Sequence, residues 1–139
     1  MIYSATAKYA VLAMTQLALT APDDLIPIRT IADKTSVPYH YLTKVMQTLV
    51  KNGLLRSVKG KGGGLCLARS AESIKISEIV IAIDGSDALN TCIFGVSVCD
   101  GSRGCSLHPS WEPVRAKIHA FLDGSLAGLA RPPETIQSN

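Results

Sequence analysis

Three of the four cysteines and one of the three histidines fall in the stretch TCIFGVSVCDGSRGCSLHPSW, residues 91–111. Their order is Cys92, six residues, Cys99, five residues, Cys105, two residues, His108. Such thiols serve as disulfide halves, small buried hydrophobes or metal ligands. Packing suits Cys66, which lies between Leu65 and Leu67 in a strand-like run. It does not suit the other three, whose neighbours Gly95, Asp100, Gly101, Ser102, Arg103 and Gly104 belong to a polar loop. A disulfide would leave one loop thiol over and needs an oxidising compartment. Three soft thiolates and an imidazole suit zinc or an iron–sulfur cluster. By ligand type zinc leads, because three cysteines and a histidine form a known structural zinc set. Spacing does not decide between the two.

The elements that must hold this loop follow from patterning. Ser4 to Ala21 is helix-compatible and mostly apolar, and Pro22 stops it, which predicts a first helix buried on most sides. Ile28, Ile31 and Ala32 then mark a short helix. Ser36 is the predicted cap of a third, with Pro38 in its first turn and Leu42, Val45, Met46, Leu49 and Val50 on one face. Asn52-Gly53 ends it. Leu54–Val58 and Leu65–Ala68 read as the strands of a hairpin joined through Gly60, Gly62, Gly63 and Gly64. Ile76, Ile79, Val80 and Ile83 mark another short helix, with Ser77 as its cap and Asp84-Gly85 closing it. From Ser110, the residues Trp111, Val114, Ile118, Phe121 and Leu122 mark a last long helix, with Pro113 in its first turn. That stripe is more apolar surface than so small a domain needs, so a second copy of the chain is expected to cover it.

Helix, turn, helix and a glycine-tipped hairpin is the order of a winged helix-turn-helix, in which the second helix of the pair enters the major groove. The fold class predicted is therefore mainly α with a small β-hairpin, extended by a long C-terminal dimerisation helix. Charge agrees. Residues 1–75 hold ten Lys/Arg against four Asp/Glu, and residues 76–139 hold four against seven. Opposite its apolar stripe the third helix shows Tyr39, His40, Thr43, Lys44, Gln47 and Lys51, groups able to meet phosphates and base edges, and Tyr41 is counted with them. Lys59 and Lys61 stand on the hairpin tip. A phosphate-loop reading of the glycine cluster fails, because no Gly-Lys-Ser/Thr follows it. No nucleophile–base or acidic pair suggests an enzyme. The longest apolar run, Tyr9 to Leu19, is interrupted by Thr15 and Gln16 and is too short for a membrane span. No secretory signal opens the chain, so the cytoplasm is the expected compartment.

The segments KYAVLAMTQLAL and IADKTSVPYHYLTKVMQTLVKNGLLRSVKGKGGGLCLA, with the cysteine loop ending in CSLHPSW, together resemble the Rrf2 family of bacterial regulators, the family of IscR, NsrR and RirA. The resemblance spans residues 1–125. It implies a homodimeric winged-helix transcription factor whose C-terminal helices cross at the dimer interface, with an iron–sulfur cluster held nearby. Cys92, Cys99 and Cys105 match the family's cluster cysteines, and His108 stands where the IscR type supplies its fourth ligand. The first gap is one residue longer than in the IscR pattern, and a histidine at a helix start can also be structural. Members of the NsrR type can take an acidic ligand from the first helix, where this chain has Lys8.

The function this implies is sequence-specific regulation, expected to be repression, sensing redox state, nitric oxide or iron and cluster supply. The cluster would be of the two-iron type, with four-iron the alternative. A competing reading is a winged-helix regulator whose loop holds zinc or nothing and which answers to another signal or a protein partner. The expected partners are a double-stranded DNA operator and a second copy of the chain, with no membrane. Residues 1–75 are read as the DNA-binding region, with the first helix also packing on the dimer helix, 76–128 as loop and dimerisation helix, and 129–139 as a mobile tail.

Overall fold

Ser4 opens helix α1 (Ala5–Ala18) by accepting a hydrogen bond from the Ala7 amide at 3.0 Å. Its own amide donates to Asp84 Oδ2 at 2.9 Å, tying the start of the chain to the far end of a later helix. The computed structural model describes residues 3–94, 99–102 and 104–130. Within them α1 is the central element. Ala7, Ala10, Ala13, Met14 and Leu17 are buried, and the small alanines let neighbouring elements approach closely. The helix stops at Ala18, short of the predicted Ala21, because the Thr20 hydroxyl takes the Leu17 carbonyl at 2.7 Å in place of a continuing amide.

Helices α2 (Ile28–Thr35) and α3 (Tyr39–Lys51) follow as predicted, and Leu42, Val45, Met46 and Leu49 of α3 are buried. The cap assignment differs. Ser36 sits at φ 57° and closes α2 in the left-handed conformation, its amide donating to the Ala32 carbonyl, so α3 begins after Pro38 with no side-chain cap. The turn is too short for one serine both to end one helix and to cap the next.

Strands β1 (Leu55–Val58) and β2 (Gly64–Leu67) pair antiparallel, with Leu55 opposite Leu67 and Val58 opposite Gly64. Ile26 adds a one-residue third strand, exchanging hydrogen bonds with Leu65 at 2.9 and 2.8 Å. A β-carbon on Gly64 would lie 2.6 Å from the Ile26 carbonyl carbon, so this close approach requires glycine there.

Helix α4 (Ile76–Asp84) ends at Gly85, as the Asp-Gly pair predicts. Its cap is not Ser77, which lies inside the helix and is buried. Lys75 takes that position, and the Glu78 carboxylate reaches back to accept from the Lys75 amide at 2.8 Å. A 3-10 turn over Ser86–Leu89 leads into the cysteine loop. Helix α5 (His108–Leu122) starts two residues before the predicted Ser110, because Pro109 already supplies the dihedral of a first turn. Pro113 therefore stands beyond that turn, where its missing amide leaves the Pro109 carbonyl without its helical donor.

The chain then turns back. Gly124 O accepts from Ile76 N at 3.1 Å, Leu126 N donates to Ile74 O at 2.8 Å and Ala127 N donates to Ala71 O at 3.1 Å. A short helix α6 (Leu126–Leu129), capped by Ser125, places Leu126 in the main core beside Met14, Leu42, Met46, Leu49, Ile74 and Ile79. Of the residues the sequence assigns to the tail, Leu129 packs against a second, smaller cluster and Ala130 is buried, and residues 131–139 lie outside the described residues. The boundary expected at 75/76 thus falls inside one pairing of 71–76 with 124–127. A smaller cluster of Ile76, Val80 and Leu122, with Val11 of α1 and Ile118 of α5 at its edge, joins the two halves.

Candidate nucleic-acid interface and cysteine loop

With Leu42, Val45, Met46 and Leu49 pointing into the core, the helical advance of about 100° per residue aims His40, Lys44, Gln47 and Lys51 outward. All four are exposed. Thr43 and Tyr39 are half-buried at one rim of that face. The Thr43 hydroxyl donates to the Tyr39 carbonyl at 2.9 Å, which leaves its oxygen as an acceptor. Tyr41 lies at the other rim of that face and is 39% exposed. Its ring meets Tyr9 edge-on at 5.7 Å between centroids, and its hydroxyl bonds Thr6, so it joins α3 to α1.

Lys59 and Lys61 are exposed on the hairpin tip, where a turn is closed by Gly63 N donating to Gly60 O at 3.0 Å. Two cations were not singled out from the sequence. Arg29, at the start of α2, lies with its guanidinium carbon 4.3 Å from the centre of the Tyr39 ring, and Arg56 is exposed on β1. Their basic charge was legible, but their place beside the α3 face and the wing was not.

In the cysteine loop the structure brings two of the four predicted ligands together: Cys99 Sγ lies 3.1 Å from His108 Nδ1. Cys92 is half-buried and Cys105 exposed, and among the described residues no three or more Cys, His, Asp or Glu side chains converge as a metal site would require. Cys66 is buried, as expected of a packing cysteine. Gly95 and Arg103 lie outside the described residues. The loop base is closed by Cys99 N donating to Asn90 O at 2.9 Å, and Asp100 Oδ1 accepts from the Ser102 amide and hydroxyl. The Gly101 backbone lies against the imidazole, since a β-carbon there would stand 2.9 Å from His108 Nε2.

Helix α5 meets this loop with a polar face. His108, Glu112, Arg115 and His119 fall within an arc of about 60° on the helix. Glu112 Oε2 lies 3.6 Å from His108 Nε2 and pairs with Arg115. Arg115 Nη1 reaches the carbonyl oxygens of Cys99 and Asn90, and His119 Nε2 that of Leu89. None of these contacts of Glu112, Arg115 and His119 could be read from the sequence. The predicted apolar stripe splits beside that face. Trp111 and Leu122 are buried within the chain, whereas Val114 is 47% and Phe121 61% exposed. The Trp111 indole N–H has no hydrogen-bond partner among the described residues.

Residues 3–132 match the family model described as "Rrf2: Iron-dependent Transcriptional regulator". The chain is 32% identical over 131 residues to the HTH-type transcriptional regulator IscR of Yersinia pseudotuberculosis, covering 94% of this chain and 79% of that protein. It superimposes on the structure of T. potens IscR with a TM-score of 0.73 at 29% identity, covering 98% of this chain and 90% of the other. It superimposes equally well on Staphylococcus aureus CymR, with a TM-score of 0.73 at 26% identity over 95% of this chain and 100% of the other.

Proposed function

The chain belongs to the Rrf2 family of transcriptional regulators, and we propose that it works as a homodimeric DNA-binding repressor whose cysteine loop carries an iron–sulfur cluster that reports redox state, nitric oxide or iron supply. It is a regulator of the IscR and CymR type and not an enzyme. DNA binding rests on the exposed His40, Lys44, Gln47 and Lys51 face, with Thr43 as an acceptor at its rim, and on Lys59 and Lys61 to follow the backbone. Tyr39 supports Arg29 beside them, and Tyr41 holds α3 in place. The exposed half of the α5 stripe is the surface a second copy would cover. No helix among the described residues is long and apolar enough to cross a membrane.

The observation that carries the sensing part is the contact between Cys99 Sγ and His108 Nδ1 at 3.1 Å. Cys92, Cys99 and Cys105 are soft thiolate donors on one loop and His108, at the start of α5, adds an imidazole, a set that suits a cluster, and they would hold it. A bound cluster would supply reversible one-electron chemistry and a site open to attack by oxidant or nitric oxide. The protein's own part is positional. Glu112 Oε2 stands 3.6 Å from Nε2 while Nδ1 faces Cys99, so the carboxylate lies where it would orient a ligating histidine. By resemblance to the IscR type the two-iron form is the one proposed, with the four-iron form as the alternative.

Anaerobic purification followed by iron and sulfide analysis, an absorption spectrum and operator binding before and after cluster loss tests this reading. A coloured protein with iron and sulfide in equal amounts and cluster-dependent DNA binding is expected. The second reading, zinc or an unmetallated loop, rests on three cysteines and a histidine also being a structural zinc set. It predicts a colourless protein.

A further inference from the structure

Four contacts form a closed circuit around the loop. Cys99 Sγ meets His108 Nδ1, His108 Nε2 faces Glu112, Glu112 pairs with Arg115, and Arg115 returns to the Cys99 carbonyl. Arg115 also donates to Asn90 O at 3.3 Å, the same oxygen that accepts the Cys99 amide. One guanidinium thus holds both ends of the segment between Asn90 and Cys99. It does so from the middle of α5, the helix whose exposed stripe is the expected dimer contact.

An arginine on a surface helix ordinarily projects into water. Here its side chain is only 13% exposed, and it gives donors to the backbone carbonyls of Asn90 and Cys99, neither of which lies in a helix or strand. Bonds from a charged donor to carbonyls are stronger than neutral ones, and a planar fork can serve two acceptors at once where an ammonium acts as a point. Backbone carbonyls also fix the loop without occupying any thiol.

We propose that Arg115, oriented by Glu112, is the positioning residue that fastens the cysteine loop to α5, so that a change in the loop is passed to the helix at the subunit contact. This rests on the regulatory reading above. Its test does not depend on a cluster being present.

The experiment measures alkylation of each cysteine by iodoacetamide in reduced, metal-free protein, located by peptide mass, for the wild type, Arg115→Met, Arg115→Lys and Lys117→Met, the last changing an exposed cation on the same helix. Loss of the clamp lets the loop open locally, so Cys99 in Arg115→Met should react about tenfold faster. Arg115→Lys should fall between it and the wild type, Lys117→Met should match the wild type, and buried Cys66 should stay protected throughout. An unchanged Cys99 rate in Arg115→Met overturns the proposal, and so does a parallel rise at Cys66, which would mean general loosening. Operator affinity supplies the second readout: alkylating the loop should alter DNA binding by the wild type and not by Arg115→Met, and an equal response in both overturns the transmission. Wild-type protein that takes up no cluster would refute the cluster reading and leave the alkylation result to decide the clamp.

Discussion

The Leu126 amide donates to the Ile74 carbonyl at 2.8 Å while the Leu126 side chain fills the main core, so the start of α6 is fastened to the entrance of α4 by backbone and side chain together. Leu126→Ala would leave a cavity among Met14, Ile74 and their neighbours and should cost about 2–5 kcal/mol. Urea denaturation is the measurement. Half-buried Leu129, at the edge of the smaller cluster, should lose clearly less on the same change.

Glu78 makes stability depend on pH in a definite direction. The hydrogen bond from Arg69 is the main reason its carboxyl is held below the ordinary value of 4.5, aided by the Lys75 amide and opposed by partial burial. A carboxyl depressed in the folded state binds fewer protons there than in the unfolded chain between the two pKa values, so stability rises with pH in that window. The contribution is complete above about pH 4.5 and disappears as pH drops through the folded value. Glu78→Gln should cost no more than about 1 kcal/mol near neutrality, because the Arg69 pair is largely exposed. The difference from wild type should shrink below pH 4.5. A difference that persists unchanged at pH 3 would assign the effect to packing.

The DNA face separates affinity from specificity. Lys59→Ala or Lys61→Ala should weaken binding to every sequence and lower the slope of log affinity against log salt by about one each. Gln47→Ala, on the outward face of α3, should change the preferred sequence, as should Thr43→Val, which removes an acceptor. Tyr41→Phe should leave the preference alone and reduce stability, since its hydroxyl bonds Thr6 of α1. Fluorescence anisotropy over a salt series with two operator variants distinguishes these outcomes.

The elements that could be read from the sequence are those whose signal is local and repeated. The i, i+3, i+4 stripe of α3 and the glycine-tipped hairpin both formed within a residue or two of expectation. Caps were misread at Ser36 and Ser77 because residue type does not reveal the dihedral or the partner. Ser36 had to close α2, and Lys75 with Glu78 already opened α4. Helix α6 carries no visible period in four residues and is placed by bonds to Ala71 and Ile74, far away in sequence. Arg115 was invisible for the same reason. A solvated arginine and one bound to carbonyls 16 and 25 residues away look identical in a sequence.

Association should depend on the exposed half of the α5 stripe. Val114 and Phe121 face outward, while Trp111 and Leu122 already serve the chain's own packing. Phe121→Glu should therefore yield folded monomers with weakened operator binding, whereas Leu122→Glu should disrupt the fold itself. Sedimentation velocity with circular dichroism separates the two. A Phe121→Glu protein that remains dimeric would move the contact off this helix.

The loop cysteines should differ from Cys66 in kind. A serine oxygen is a harder and poorer ligand for iron than a thiolate, so Cys92→Ser, Cys99→Ser and Cys105→Ser should each abolish the chromophore of anaerobically purified protein, and Cys66→Ser should retain it. His108→Ala should give a cluster of altered spectrum or shorter lifetime, because three thiolates remain while the imidazole beside Cys99 and its Glu112 support are lost. The effect on DNA binding is bounded by how differently the two loop states bear on α5. A coupling of about 1–3 kcal/mol corresponds to about a 5- to 150-fold change in operator affinity between loaded and cluster-free protein. The loop variants should fold, dimerise and bind with one fixed affinity that no longer answers to oxidant or nitric oxide. A triple Cys92, Cys99 and Cys105 serine variant that responds as the wild type does would remove these thiols from the sensing mechanism.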